Sequence, residues 1–308
     1  METRKLIKFG NSSYVVSLPG KWIKKNNLSK GNLIYCQENM SRDLILSPEK
    51  KEEIVQDRQI AIKIDEKSER DISREIVSAY ISNFRTIKLH GKELENKAEK
   101  IIEMVHGLIA LEIIDQTTEA IVTRDFLNMN HISLDQLIKR MDILTRSMIA
   151  DSKNSIKNDF CSSLIRRDKD VNRLAILVLR TIKYRLGLSG EEHNSLFLYH
   201  VIYDQLEKIA DDAKRISKYL VNNEFKKDEI TKIEEIYDLI EKVFADVMKA
   251  YYLKDIVLAH RTSKTIRENI LKKCAALENI TKNKNCATLA EKFKTMCNHI
   301  KTVNRINY

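Results

Sequence analysis

The chain has 308 residues and a formal net charge of +10, from 54 Lys and Arg against 44 Asp and Glu, with only two prolines and seven glycines. Such a length accommodates two or three domains, and so few helix breakers in a chain that is 32% charged point to a helix-rich protein. No stretch approaches the roughly 20 apolar residues that span a bilayer, and the first residues lack a signal-peptide apolar run, so a cytoplasmic protein without membrane insertion is expected.

The first predicted elements are short strands. Gly10-Asn11 can take the positive φ of a tight turn, and beyond it Tyr14, Val16 and Leu18 alternate with Val15 and Ser17 as on a half-buried strand. Pro19 sits where a helix's first turn tolerates a missing N–H, which predicts a helix from Gly20 to about Asn27. Two more strands, Leu33 to Gln37 and Asp43 to Leu46, follow before Pro48 closes the unit. Residues 1–48 are too few to bury a good core, and without a cysteine pair dimerisation is the remaining route to stability. This segment carries eight Lys and Arg against three Asp and Glu, half of the chain's net charge, and clustered cations bind nucleic acid by releasing its counterions.

From Lys5-Leu6-Ile7-Lys8-Phe9-Gly10-Asn11-Ser12 through Leu18-Pro19 to Leu44-Ile45-Leu46-Ser47-Pro48, the segment resembles the AbrB/MazE/SpoVT family of swapped-hairpin DNA-binding domains. The resemblance implies a homodimer in which two chains interleave their strands into one barrel-like unit, with the first strand and following loop facing DNA. Arg4, Lys5, Lys8, Asn11, Ser12 and Ser13 are then the candidate DNA contacts.

After a charged linker, Glu49 to Asp57, the pattern changes to a small βαβαββ layer over residues 58–127. Arg58 to Ile64 alternates as a strand, and Asp71 to Phe84 has helical spacing at Ile72, Ile76, Val77, Tyr80 and Ile81. Thr86 to Leu89 reads as strand, Glu93 to Val105 as helix, and Leu108 to Ile114 and Ala120 to Phe126 as two strands around a polar turn. Helices on one face of a sheet are expected. His90 and His106 read as packing or surface residues there.

From 131 to 308 the chain reads as helix, with breaks near Asp151 to Lys157, Gly187 to Glu191, Asn222 to Asp228 and Lys282 to Asn285, which predicts an antiparallel bundle. Asp204, Glu207 and Asp211 fall on one helical face, an arrangement that calls for solvent or a cation between the carboxylates. The five cysteines, at 36, 161, 274, 286 and 297, form no CxxC pair, and their odd number fits no disulfide framework, so buried reduced thiols are expected and zinc is not.

Leu206-Glu207-Lys208-Ile209-Ala210-Asp211 resembles the Leu-Glu-Arg-Ile-Gly-Asp motif of PhoU, the phosphate-uptake regulator of two three-helix repeats, and Asp168-Lys169-Asp170-Val171-Asn172 resembles the acidic start of its second helix. The resemblance implies metal clusters held by carboxylates on facing helices, with Asp168, Glu207 and Asp211 as ligands in the first repeat and iron, magnesium or manganese as the fitting ions. The expected second site departs from the pattern, since Thr295 follows Glu291 in the aspartate's place and Ser263 and Arg267 stand where acidic residues are expected.

The whole chain therefore reads as multidomain α+β: an N-terminal swapped-hairpin β unit, the βαβαββ layer, and an all-α PhoU-like bundle of two three-helix repeats. The expected function is a dimeric transcription regulator linked to phosphate uptake, which grips DNA through its first unit and receives a signal through the bundle. The alternative is an adaptor on a phosphate transporter or sensor protein, with the first unit serving only to dimerise. An enzyme is not expected, because nothing supplies a nucleophile with its base or a phosphate-binding loop.

Overall fold

Gly10 has φ +70°, a left-handed conformation that lets the chain reverse after β1 (Ile7–Phe9) and return as β2 (Ser13–Val15). The structure, a computed structural model, describes residues 3–10, 13–38, 44–49, 58–188, 193–280 and 284–308. β1 and β2 are antiparallel, with Ile7 opposite Val15, Lys8 opposite Tyr14 and Phe9 opposite Ser13. Pro19 lies just before α1 (Gly20–Lys25), one position earlier than the first-turn place, and its carbonyl accepts hydrogen bonds from the N–H groups of Trp22 and Ile23 at 2.9 and 3.1 Å. β3 (Tyr35–Glu38) and β4 (Leu44–Ser47) make a second antiparallel pair that does not join the first.

These elements belong to the first of two compact units, 1–56 and 57–308. None of the described residues of the first unit is buried. Leu6, Phe9 and Leu33 are 69%, 70% and 74% exposed, and Ile7, Tyr14, Val15, Val16 and Leu44 are exposed too.

In the second unit, alternation decides which face of a sheet is covered. β5 (Gln59–Lys63), α2 (Glu69–Ile81), β6 (Thr86–His90), α3 (Leu94–His106), β7 (Leu111–Gln116) and β8 (Ala120–Asp125) follow in the βαβαββ order. The strands lie in the order β5-β6-β8-β7, with β5 parallel to β6 and the other pairs antiparallel. Ile62, Ile87, Leu89 and Ile121 are buried against Ile76 and Tyr80 of α2 and Ile101 and Val105 of α3, whereas the intervening Ala61, Lys63, Lys88 and Arg124 are exposed. Ser68 caps α2 by accepting the Asp71 N–H at 3.2 Å.

The rest of the chain is helical. α4 (Leu134–Asn154), α5 (Cys161–Leu186) and α6 (His193–Val221) pack on one another. So do α7 (Lys227–Leu253), α10 (Lys284–Arg305), and the rod that α8 (Ile256–Thr265) and α9 (Leu271–Ile280) build around a π-helical turn at Ile266–Ile270. Contacts of α6 with α10 and of α4 with α7 join the two sets around a core that includes Ile138, Met148, Leu206, Ile240, Phe244 and Phe293. The fold is thus mixed α+β, with small N-terminal sheets and a large C-terminal helical region.

Two details depart from the sequence expectations. The α7–α8 corner interrupts a stretch whose sequence reads as continuous helix, because Lys254 (φ 53°) takes the left-handed cap that glycine usually supplies. Cys274, Cys286 and Cys297 are buried, but Cys161 is half-buried and Cys36 is exposed. The middle layer and the helices share an interface inside one compact unit. There Arg180 of α5, fully buried, donates to Asp125 at 2.5 Å and to Asn83 at 3.0 Å, with its guanidinium 4.1 Å above the Tyr80 ring. Among the described residues no helix is long and apolar enough to cross a membrane.

Candidate functional site

The cationic hairpin comes first in the chain. Lys8 is exposed and faces Tyr14 across the strand pair, and among the described residues the side chains of Lys5 and Lys8 have no hydrogen-bond or ion-pair partner. Arg4 and Ser13 are exposed as well, while Asn11 and Ser12 lie outside the described residues. On β1, Ile7 and Phe9 alternate with Lys8, so the hairpin offers an apolar face with Ile7, Phe9 and Val15 and a second face carrying Lys8 and Tyr14. An isolated two-stranded pair of this kind is marginal in water. The arrangement leaves an apolar face exposed and a cation on the opposite face.

The second candidate lies within the helical region. Asp168 of α5 and Asp211 of α6 approach a common point, and that point is occupied by the ammonium of Lys214, which donates to Asp168 at 2.7 Å and lies 2.8 Å from Asp211. Arg215 adds a second pairing to Asp211 at 2.7 Å. Burial opposes the charge of Lys214, but its hydrogen bonds to the two aspartates outweigh this and raise its pKa. Glu207, one turn before Asp211, is half-buried, and its pKa is raised first by burial and then by the charges of Asp211, Asp168 and Asp204. Asp204 turns away to Lys208, at 2.6 Å.

The structure brings Asp168, Glu207 and Asp211 into one neighbourhood, and the cation that their shared face calls for is Lys214, which the sequence reading did not name. Lys214 and Arg215 stand three and four residues after Asp211, the spacing at which side chains on a helix meet, and that spacing was the available signal. The residues do not fit the metal cluster implied by the PhoU resemblance, because an internal ammonium takes up the carboxylate oxygens that an ion would need. Among the described residues no group of three or more His, Cys, Asp or Glu side chains is arranged to hold a metal ion. At the second-repeat positions, Ser263 bonds to Tyr308 and Asn304, Arg267 lies 3.6 Å from Glu268, and Glu291 pairs with Lys294 at 2.8 Å.

Compared with protein-family models, with curated proteins and with solved structures, the chain gave no match.

A different polar group crosses the helical core further on. His299 of α10 meets Asp212 of α6 at 2.9 Å, Ser152 meets Tyr237 at 2.6 Å, and Ser155 meets Ser217 at 2.6 Å. Each pair satisfies polar atoms between helices and so fixes their register. The Cys161 thiol, 3.6 Å from Ser217, has its pKa raised chiefly by burial, which keeps it protonated and a weak nucleophile.

Proposed function

We propose that the protein is a DNA-binding transcription regulator that acts as a homodimer. One observation carries this: the first unit has no buried side chain of its own among its described residues, and its exposed apolar hairpin residues alternate with an unpaired lysine. A second copy laid against Ile7, Phe9 and Val15 would supply the missing core, and the two-fold pair would present two sets of Arg4, Lys5 and Lys8 to matching half-sites. The cations supply affinity by counterion release, and Asn11, Ser12 and Ser13 are the residues able to read base edges.

In this mechanism the helical region is the PhoU-like receiving part, built of two three-helix sets, and phosphate supply is the theme of its signal. A change in its packing alters the spacing or rigidity of the paired basic loops, and so the affinity for an operator.

Selection of bound fragments from sheared genomic DNA, with the intact protein and a Lys5→Ala, Lys8→Ala variant compared at physiological salt, is the deciding experiment. Enrichment of a few fragments that the variant loses is the expected result, with the variant's salt slope shallower by about one per lysine removed. No enrichment by the intact protein would leave the first unit as a dimerisation device and favour the adaptor role.

A further inference from the structure

α7 and α8 meet at a corner where Lys254 takes the left-handed cap and Asp255 accepts the Leu258 N–H at 2.9 Å. Leu258 and Ala259 turn inward there and pack with Ala250. The residues on the other side are left open: Leu253 and Val257 are 63% and 79% exposed, and Ile256 beside them is exposed as well. Large aliphatic side chains grouped on an anchored corner mark a surface that something covers.

The order of residues along α8 says what. Its outward face consists of Ile256, Val257, His260, Arg261 and Lys264, all exposed, at i, i+1, i+4, i+5 and i+8. At 1.5 Å per residue, His260 and Arg261 stand about 6 Å behind the two aliphatics, and Lys264 about 12 Å behind. On α7, the exposed Lys249 stands a similar distance, about 6 Å, behind Leu253. Asp255, engaged as the helix cap, is the only carboxylate in the sequence between Tyr252 and Lys264; of the carboxylates near this stretch, Asp142 pairs with Arg146 at 2.7 Å and Glu268 lies 4.0 Å from Lys264. Tyr252 and Tyr308 flank the corner with their rings partly exposed and their hydroxyls bonded to Asp142 and the Ala259 carbonyl. Aliphatic tip, amphipathic aromatic flank and cations one to two turns behind are the layers of a lipid surface in order.

We propose that this corner is a lipid-contacting tip: Leu253, Ile256 and Val257 enter the acyl boundary of an anionic bilayer surface, while Lys249, Lys254, Arg261 and Lys264 meet lipid phosphates. The protein lies on the bilayer through this tip and does not span it. A second copy fits the corner less well, because an isologous contact would set these four cations against their own counterparts. The inference does not depend on the DNA-binding role of the first unit.

Co-sedimentation of the full chain with vesicles of phosphatidylcholine alone, and of phosphatidylcholine mixed with phosphatidylserine, tests it. Binding to the mixed vesicles only is expected, weakening as salt is added. A Leu253→Ser, Val257→Ser variant, both substitutions being at exposed positions, should keep its melting temperature and bind about a hundredfold more weakly. An Arg261→Gln, Lys264→Gln variant should lose about tenfold or more. The Lys5→Ala, Lys8→Ala variant, weakened on DNA, should bind vesicles as the intact chain does. Failure of the intact chain to bind the mixed vesicles would overturn the proposal, as would equal binding by the serine variant. Self-association without lipid that the serine variant abolishes, together with no vesicle binding, would identify a second copy as the occupant and overturn it as well.

Discussion

The two units of this chain solve the problem of burying apolar surface in opposite ways. In 57–308, Phe244, Phe293, Ile240 and Tyr237 are enclosed by helices of the same chain, and Ile62, Ile87 and Leu89 by the helices that cover their sheet. In 1–56, no described residue is buried, and Phe9 projects from a three-residue strand. The same residue type is thus enclosed in one unit and open to solvent in the other. The larger unit encloses its own core. Under the proposed dimerisation the smaller one couples its folding to concentration, because whatever binds the folded form and not the unfolded one stabilises it by mass action.

Truncating a phenylalanine in each unit gives the sharpest contrast. Phe293, whose ring meets Tyr237 edge-on at 4.9 Å, should cost about 3–5 kcal/mol as Phe293→Ala, read from the denaturant midpoint and independent of protein concentration. Phe9→Ala should cost within about 0.5 kcal/mol at high dilution, and progressively more as concentration rises and a second copy covers the hairpin. A Phe9→Ala effect that is large and the same at every concentration would show that the unit is self-sufficient and break the contrast.

Next in size is the contact that holds the sheet layer to the helices. Arg180→Met strands the buried Asp125 carboxylate and should cost about 3–5 kcal/mol, and adding Asp125→Leu should recover much of that loss. Hydrogen exchange of β8 and α5 in the single variant should rise together, whereas amides of the first unit should be unaffected.

Lys214→Met comes third, at about 1–3 kcal/mol, because it leaves Asp168 and Asp211 facing each other without their shared ammonium. Titration with manganese should then show a gain of affinity in this variant over the intact chain; equal binding by the two would mean that Lys214 does not occupy the cation's place.

The smallest effect belongs to Glu207. Its folded-state pKa is raised, by burial first and by three neighbouring carboxylates, so the folded chain holds the proton more tightly than the unfolded chain does. The stability this contributes is fully present below the ordinary glutamate pKa and is lost as pH rises through the raised value. Glu207→Gln should therefore be more stable than the intact chain at neutral pH, by under about 1 kcal/mol, with the advantage vanishing as the solution is acidified. An advantage that grows toward low pH would reverse the assignment.

Much of the architecture was legible because it depends on local pattern. The helix predicted at Asp71 to Phe84 appears as Glu69–Ile81, and the strands at Thr86 to Leu89 and Ala120 to Phe126 as Thr86–His90 and Ala120–Asp125. Alternation and 3.6-residue spacing are properties of a chain's own residues, so they survive without knowledge of the partner surface. The corner at Lys254 was not legible, since a lysine accepted a conformation that costs it energy and the strain is repaid by packing elsewhere. Of the carboxylate cluster, the shared helical face was readable from spacing, but the distance from Asp168 across to α6 was not.

What the sequence determined by itself is most of the elements, the division of α7 from α8 excepted: where the chain turns at Gly10, which stretches alternate, and which helices carry an apolar stripe. Composition also settled the excess of cations in the first 48 residues. Only the tertiary structure decided which of these surfaces find a partner in the same chain. It filled the space between Asp168 and Asp211 with Lys214, sealed Arg180 against Asp125 and Tyr80, and left Phe9 and Val257 open to solvent. The physical reason is that an element forms from interactions a few residues apart, whereas burial and charge pairing are settled between residues tens of positions apart, by the path the chain takes to bring them together.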